Sequence, residues 1–237
     1  TQYGGAASNR LARLNADGSL DTSFVVGTGP DSGVISIALQ TDGKVLLGGS
    51  FVAYNGTTGV NRIIRVNTDG SLDSGFTTGV AAAGAVQKAA VQPDGKIVIG
   101  GDFQTFNTVA RSRIARLNTD GTLDTSFDPG TGFGGRVKDL AIQADGKIVA
   151  VGGFPTFNGT PRVRAARLNA NGSLDTTFDP GPVSFPSEVA MITKRSNHMP
   201  TFTNMATTKM VQGLVRIFLN QKSCGEMTLH EIIVQYA

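Results

Sequence analysis

The chain has 237 residues, of which 40% are hydrophobic and 16% charged, and its formal net charge is +3. No apolar run is long enough to span a membrane and no Lys/Arg cluster stands out, so we expect neither membrane insertion nor a nucleic-acid partner. A single cysteine excludes an intramolecular disulfide framework. The sequence begins at Thr1 with neither a start methionine nor a signal peptide, so we expect a processed chain or a fragment.

Two sequence blocks alternate along the chain from its first residues. The first block occupies residues Leu11–Phe24 and returns at Ile63–Phe76, Ile114–Phe127 and Ala165–Phe178. The second block occupies Val34–Phe51 and returns at Val86–Phe103 and Val137–Phe154. The closing phenylalanines of the first block are 52, 51 and 51 residues apart, so the chain is built from repeats of about 51 residues.

Each block predicts a β-hairpin. In the second block, strands Val34–Gln40 and Val45–Gly49 flank an Asp-Gly pair, and glycine accepts the positive φ of a tight turn. Val45–Leu47 is apolar without alternation, which indicates a strand buried on both faces. The first block has its turn at Ala16–Ser19 and leads to Phe24. Two hairpins give about four strands per repeat, the size of one propeller blade.

We therefore predict an all-β protein whose first part is a β-propeller or partial propeller of four-stranded blades. A β-solenoid is the alternative, although its coils are usually shorter than this repeat. The repeats, in which Arg-Leu-Asn-x-Asp-Gly-Ser-Leu-Asp-Thr-Ser-Phe is followed by Gln-x-Asp-Gly-Lys and Gly-Gly-x-Phe, resemble the bacterial delta-sixty repeat over residues 1 to about 182. The third copy departs slightly, with one extra residue before Gly152. The resemblance implies a propeller and an extracellular, cell-surface or virion setting, and it implies no enzymatic activity.

The composition changes after the repeats, so we predict two domains, 1–182 and 183–237. All five methionines, the cysteine, both histidines and all three glutamates lie in the second domain, which we expect to be β-rich. Its predicted strands are Glu188–Thr193, Leu214–Leu219 and Met227–Tyr236, and the last of these could also be a short helix. Residues 1–182 supply three and a half copies of the repeat, fewer than the four blades of the smallest propellers.

Three interpretations of residues 183–237 remain open. They could form a separate module that docks on the propeller or a partner, a hairpin that closes a four-bladed ring, or a chimaeric segment. Unpaired strand edges recruit partners, so self-assembly through open repeat edges and this C-terminal tail is a further expectation.

The turn of the first block is a candidate calcium site. Oxygen-bearing side chains stand at alternating positions around its glycine, as in calcium loops. The candidate ligands are Asn15, Asp17, Asp21, Asn67, Asp69, Asp73, Asn118, Asp120 and Asp124. The position expected for the first carboxylate is arginine in every copy, and the fourth copy has Asn171 for the central Asp. The alternative is therefore that these aspartates shape Asx turns and pair with arginines, without any cofactor.

Several recurring side chains could instead contact a ligand at the propeller rim. The candidate rim residues are Tyr3, Tyr54, Phe106, Phe157, Thr57 and Asn107. A repeated aromatic could stack on sugars, but it could also be packing. A second arginine register could present a basic ring, or its members could form ion pairs and stacked stems between blades: Arg10, Arg62, Arg113 and Arg164.

Sequence variation between copies points to binding through rim loops. The variable stretches are Val25–Gly33, Thr77–Ala85, Asp128–Arg136, and the segments before each arginine pair. We therefore expect a non-enzymatic extracellular module, a surface adhesin or virion-fibre component, that binds a glycan or a protein. The repeats contain no His, Cys or Glu, which excludes a nucleophile–histidine relay there. The alternative is a glycan-cleaving enzyme on a propeller scaffold, which requires close, paired aspartates with raised pKa values.

Overall fold

A computed structural model describes residues 2–3, 6–7, 9–181, 214–223 and 226–235. The chain falls into two compact units, Thr1–Pro182 and Val183–Ala237. Every regular element of the described residues is a β-strand, in agreement with the all-β prediction. That part of the chain has no helix that could cross a membrane.

The described residues of the first unit form seventeen short strands. In chain order they are β1 (Gln2–Tyr3), β2 (Ala6–Ala7), β3 (Val34–Leu39), β4 (Val45–Gly49), β5 (Ala53–Tyr54), β6 (Thr57–Thr58), β7 (Ile63–Val66), β8 (Val86–Val91), β9 (Ile97–Gly101), β10 (Thr105–Phe106), β11 (Val109–Ala110), β12 (Ile114–Leu117), β13 (Arg136–Ile142), β14 (Ile148–Gly153), β15 (Thr156–Phe157), β16 (Thr160–Pro161) and β17 (Ala165–Leu168).

Three antiparallel sheets of three strands form the body of this unit. Their strand orders are β3-β4-β7, β8-β9-β12 and β13-β14-β17, which we call repeats 1, 2 and 3. In repeats 1 and 2 the middle strand is buried along its whole length, as the unalternating apolar sequence predicts. In each repeat the Asp-Gly turn joins the first two strands, because its glycine adopts the positive φ that the hairpin requires, as at Gly43 with φ 82°.

The sheets have one strand fewer than the predicted four-stranded blade. Leu72, at the expected start of the fourth strand, makes a single isolated bridge to Val66. The chain then turns back on itself, because the amide of Gly75 donates to Asp73 Oδ1 and the amide of Phe76 donates to the carbonyl of Asp73. The other copies have the same arrangement, so the first block contributes one strand and a bridge to each sheet.

A short hairpin, with two residues in each strand, follows the middle strand of each repeat. These two-residue hairpins were not predicted from the sequence. They pair β5 with β6, β10 with β11, and β15 with β16, and the half copy that precedes repeat 1 has β1 and β2. The turn residues Asn55 and Gly56 have φ values of 46° and 79°, which are typical of a type I′ turn.

The hydrophobic core lies between successive sheets. Leu46 and Ile63 of repeat 1 share one buried cluster with Ala89 and Ile97 of repeat 2. Val98 of repeat 2 belongs to the corresponding cluster with repeat 3. The first strands also follow one another, since β3 lies against β8 and β8 against β13. Each sheet is thus covered by the next, as expected for blades of a propeller.

The described residues of the second unit form an antiparallel hairpin of β18 (Leu214–Ser223) and β19 (Glu226–Gln235). It includes the predicted strand Leu214–Leu219, which extends four residues further, and Met227–Tyr236 is a strand and not a helix up to Gln235. The predicted strand Glu188–Thr193 lies outside the described residues.

Candidate functional site

The topology gives each repeat two opposite edges. One edge carries the Asp-Gly turns of both blocks, and we call it the turn edge. The opposite edge carries the two-residue hairpins together with the loops Val25–Gly33, Thr77–Ala85 and 128–135, and we call it the hairpin edge. Sequence motifs are nearly identical at the turn edge and differ between copies at the hairpin edge.

A cluster of ion pairs recurs at the turn edge of each repeat. In repeat 2, Asp124 Oδ2 accepts bonds from Arg116 Nε at 2.7 Å and from Lys96 Nζ at 2.8 Å. The same guanidinium lies 5.1 Å from the centroid of the Phe127 ring, and its Nη1 donates to the carbonyl of Ala170 in the following copy at 2.6 Å. Equivalent clusters contain Arg13 with Asp21, Arg65 with Asp73, and Arg167 with Asp175. The motif therefore joins one repeat to the next.

This cluster holds its carboxylates in the charged form. Burial alone would raise the pKa of Asp73, but hydrogen bonds from Lys44 and Arg65 outweigh it and lower the pKa to about 2. Burial is likewise outweighed at Asp124 and Asp175, where the bonded lysine, the Ser or Thr two residues on and the arginine lower the pKa further. An ionised carboxylate between two cations is what a structural ion cluster requires.

The predicted calcium ligands serve as local turn residues. Asp17 Oδ1 accepts from the Ser19 amide at 2.9 Å and from Ser19 Oγ at 2.6 Å, while Asn15 donates its amide to the same hydroxyl. Asn171 makes the same bonds to Ser173 in the fourth copy, so the central position does not need a carboxylate. Their counterparts in the next two copies do likewise: Asn67, Asp69, Asn118 and Asp120.

The third candidate carboxylates, Asp21, Asp73 and Asp124, face arginine. Their Oδ2 atoms accept from guanidinium Nε atoms at 2.6 to 2.7 Å. Among the described residues, no three His, Cys, Asp or Glu side chains lie close enough together to hold a metal ion. The contacts of these side chains are those that the Asx-turn alternative predicts.

The second arginine register has a backbone role that sequence reasoning missed. Arg10, Arg62, Arg113 and Arg164 all have φ between 63° and 71°, a region that residues other than glycine rarely enter. Arg10 donates to the carbonyl of Pro30 at 2.7 Å, and Arg113 donates to that of Phe133 at 3.2 Å. The guanidinium groups of Arg10 and Arg113 thus bind carbonyls of the loops beside them, which gives both side chains a role within the fold.

The recurring aromatic residues belong to the core. Tyr54, Phe106 and Phe157 are at most 1% exposed, so the structure corrects the expectation that they stack on a sugar. Tyr54 donates its hydroxyl to the carbonyl of Gly70 at 2.6 Å, and burial raises its pKa to about 12. The side chain of Tyr3 lies outside the described residues.

The two variable stretches of each repeat come together at the hairpin edge. Isolated bridges join Pro30 to Tyr54, Ala82 to Phe106, and Phe133 to Phe157. The turn asparagine completes the contact: Asn158 Oδ1 accepts from the Thr131 amide at 3.1 Å, and Asn107 Oδ1 accepts more weakly from the Val80 amide at 3.4 Å. Asn107, proposed as a ligand residue, is therefore part of the loop scaffold.

Exposed side chains of mixed character cover this edge. Thr57 is exposed, as the prediction of a rim contact requires. Three aliphatic side chains also face solvent here: Val52 at 40%, Val80 at 56% and Val109 at 42%. Because these positions differ from copy to copy, the hairpin edge has an uneven surface on a regular scaffold. Such a surface can bind a ligand without any change in the sheets.

Asp139 is a buried carboxylate of a different kind. It lies on β13, its Oδ1 is 3.1 Å from Lys88 Nζ, and its Oδ2 has no hydrogen-bond partner. Burial raises its pKa, and the lysine only partly opposes this. The neighbour of Asp139 is thus a lysine and not a second carboxyl, so the structure does not place Asp139 in the paired arrangement that the glycan-cleaving alternative requires.

One comparison with known proteins, a family model, agrees with the observed architecture. A family model described as a domain of unknown function (DUF5122) beta-propeller matches residues 1–24, 40–76, 92–127 and 143–178, more than half of the chain. No curated protein sequence matches the chain. Among solved structures, a protein of unknown function from Bacteroides caccae shares 12% sequence identity with a TM-score of 0.33, over 69% of this chain and 72% of that one.

Proposed function

We propose that this chain, which belongs to the DUF5122 β-propeller family, is a non-enzymatic recognition module. Its hairpin edge binds a glycan or a protein, and its turn edge holds the repeats together. The family is one of unknown function, so the proposal depends on the arrangement of the residues in this chain.

The observation that carries the proposal is the joining of two variable stretches at one edge of every repeat. The bridge between Phe133 and Phe157 and the bond from the Thr131 amide to Asn158 fix the loop against the hairpin. A ligand then meets a preformed surface and loses little affinity to loop ordering. The residues that vary lie on this surface, while the residues that recur are engaged in bonds inside the protein.

The chemistry of the hairpin edge suits a neutral, partly polar ligand. Threonine hydroxyls and backbone groups of the loops supply hydrogen bonds, and the exposed valines supply apolar contact. The ion pairs Arg65–Asp73 and Arg116–Asp124 belong to the turn edge, and Arg10 and Arg113 near the hairpin edge donate to loop carbonyls. Glycans and uncharged protein surfaces fit such a surface.

The setting is a second part of the proposal. The resemblance of the motif to delta-sixty repeats supports an extracellular place, on a cell surface or a virion, where the module acts as an adhesin or fibre component. Residues 183–237 attach the repeats to a larger assembly. Both points rest on resemblance and composition.

Binding of the labelled full chain to an array of glycans and to an array of extracellular proteins tests the proposal. We expect Thr57→Arg combined with Val109→Arg to reduce binding at least tenfold, because both residues are exposed at the hairpin edge. Thr41→Arg, an exposed threonine on the turn edge, is the matched control and should bind like the wild type. Equal loss in both variants, no binding to either array, or release of sugar from the bound glycans would overturn the proposal.

A further inference from the structure

We propose that Asn55 and Asn158, each followed by a glycine at the hairpin edge, are sites of spontaneous deamidation. The pairs Asn55-Gly56 and Asn158-Gly159 form the turns of two-residue hairpins, and all four residues are exposed to water. The glycine has no Cβ, so its main-chain nitrogen approaches the side chain of the preceding asparagine without steric hindrance. Each turn therefore brings together a nucleophile, an amide carbonyl and water.

The reaction at Asn158 needs only this residue, Gly159 and water. The main-chain nitrogen of Gly159, after it loses its proton to a base in solution, attacks Cγ of Asn158 and forms a C–N bond. The bond from Cγ to Nδ2 breaks, and Nδ2 takes up a proton and leaves as ammonia. Water then opens the cyclic imide at either of its carbonyl carbons, so position 158 becomes an aspartate or an isoaspartate. In sum, the amide and water give a carboxylic acid and ammonia.

The loop beside the hairpin polarises the side-chain carbonyl of Asn158. Its Oδ1 accepts from the Thr131 amide at 3.1 Å and from Thr131 Oγ1 at 2.9 Å. The attack places negative charge on Oδ1, and donors that are already in position stabilise that charge. In repeat 1, Thr28 makes the corresponding contacts to Asn55 Oδ1 at 3.1 and 3.4 Å.

A third Asn-Gly pair, Asn171-Gly172 at the turn edge, differs in its nucleophile. Asn171 Oδ1 accepts from the Ser173 amide at 3.0 Å and from Ser173 Oγ at 2.8 Å, so its carbonyl is polarised in the same way. Gly172, however, is buried, and its amide donates to the carbonyl of Asn169 at 2.9 Å. In the part of the chain that the structure describes, no group accepts from the glycine amides of the two hairpins. We therefore expect Asn171 to react slowly.

The hairpin of repeat 2 lacks the reactive glycine. Its turn is Asn107-Thr108, where Thr108 has φ 67° and the corresponding Gly159 has φ 76°. Threonine thus adopts the same turn, but its branched Cβ hinders the attack. Deamidation therefore gives the hairpin edge a carboxylate in repeats 1 and 3 and leaves repeat 2 unchanged. Any effect of these charges on ligand affinity rests on the proposed function, whereas the reaction itself does not.

Peptide mapping by mass spectrometry of the full chain, kept in warm and mildly alkaline buffer, tests this inference. We expect Asn55 and Asn158 to deamidate at least tenfold faster than Asn171, with isoaspartate among the products. In urea the three pairs should react at similar rates, because only the fold restrains Gly172. No reaction at Asn55 and Asn158, a rate at Asn171 as high as theirs in the folded protein, or an equally slow Asn171 in urea would overturn the proposal.

Exchange of the turn residue between repeats gives a matched pair of variants. Gly159→Thr copies the turn of repeat 2 and should slow the reaction at Asn158 at least tenfold, while the rate at Asn55 stays that of the wild type. Thr108→Gly copies the turn of repeat 3 and should make Asn107 reactive. An unchanged rate at Asn158 in Gly159→Thr would contradict the assigned nucleophile. Neither experiment involves a ligand, so both results are independent of the proposed binding function.

Discussion

Asp124 and Asp139 are both almost fully buried carboxylates, and their surroundings shift the pKa in opposite directions. Asp124 lies between Arg116 and Lys96 and also accepts from Ser126, so its charged form is strongly favoured. Asp139 has one cation and an unpartnered oxygen, so burial dominates. At the scale of single residues, hydrogen bonding and not depth of burial decides which aspartate stabilises the fold.

Substitutions in one turn separate the two roles of its aspartates. Asp124→Asn removes the charge between Arg116 and Lys96 and should lower the free energy of unfolding by about 2 kcal/mol. Asp120→Asn in the same turn should cost less than about 0.5 kcal/mol, because Asn171 already makes the equivalent bonds. Urea denaturation of the two variants measures the difference, and similar losses would show that the cluster does not stabilise the fold.

The pKa shifts also predict how stability depends on pH. The pKa of Asp73 in the folded protein is about 2, below the unfolded value of about 3.9. The contribution of Asp73 to the free energy of unfolding is therefore complete above about pH 4 and is lost as the pH falls toward 2. The melting temperature should be nearly constant from about pH 7 to pH 5 and then fall steeply, with a shallower fall in Asp73→Asn. The same acid dependence in wild type and variant would contradict this assignment.

The contribution of Asp139 to stability should change with pH in the opposite direction. Its folded-state pKa is raised, so its ionisation opposes folding as the pH rises above the unfolded value. Asp139→Asn should therefore cost clearly less stability at pH 7 than Asp124→Asn, measured by the same urea titrations. A larger loss for Asp139→Asn would mean that its ion pair with Lys88 outweighs the burial of the charge.

At the scale of elements, the turns differ in how closely they contact the neighbouring repeat. Gly18 and Gly70 both have φ above 80°, but a Cβ at Gly18 meets no atom within 4 Å, whereas one at Gly70 lies 2.8 Å from the carbonyl oxygen of Val25. Gly18→Ala should cost about 1 kcal/mol from the backbone alone. Gly70→Ala should cost at least about 2 kcal/mol, because it also separates two repeats. Equal losses in thermal melts would exclude this tight junction.

The two-residue hairpins depend on their asparagine. Asn158 has φ 46° and accepts bonds from the amide and the hydroxyl of Thr131. Asn158→Ala should therefore lose about 1 to 2 kcal/mol of stability in thermal or urea unfolding. The neighbouring exposed Thr160→Ala is the control and should change stability by less than about 0.5 kcal/mol. If both variants unfold like the wild type, the loops are not held by these hairpins.

The hairpins that join the first two strands of each repeat were predicted correctly from the sequence. An Asp-Gly pair between two apolar runs is compatible with few structures other than a tight turn between strands. It did not predict β5–β6 and its counterparts, since Asn55-Gly56 is flanked by only two paired residues on each side, too few for a visible alternation. The variable loops lie together at one edge of each repeat, but Tyr54 and its counterparts, which were expected on a rim surface, are buried. A recurring aromatic has the same sequence signal in a core as on a rim, and only burial separates the two.

At the scale of the whole molecule, the repeats are joined by bonds that each copy makes to the next. Arg65 of repeat 1 donates to the carbonyl of Thr119 at 2.6 Å, and the amide of Thr77 donates to that of Asp120 at 2.8 Å. Stability in such a chain depends on interfaces between neighbours as much as on each unit. The recurring motif is thus used inside the protein, which leaves the hairpin edge free to vary.

Amide hydrogen exchange of the wild type and Asp73→Asn, followed by mass spectrometry, tests this division most directly. We expect faster exchange on both sides of one junction, in β7 of repeat 1 and at residues 118–121 of repeat 2. Without the Asp73 carboxylate, Arg65 is no longer held in position to donate to the carbonyl of Thr119. Strand β14 in repeat 3 should keep its wild-type protection. Faster exchange confined to repeat 1, or none at all, would contradict the claim that the repeated motif joins the repeats.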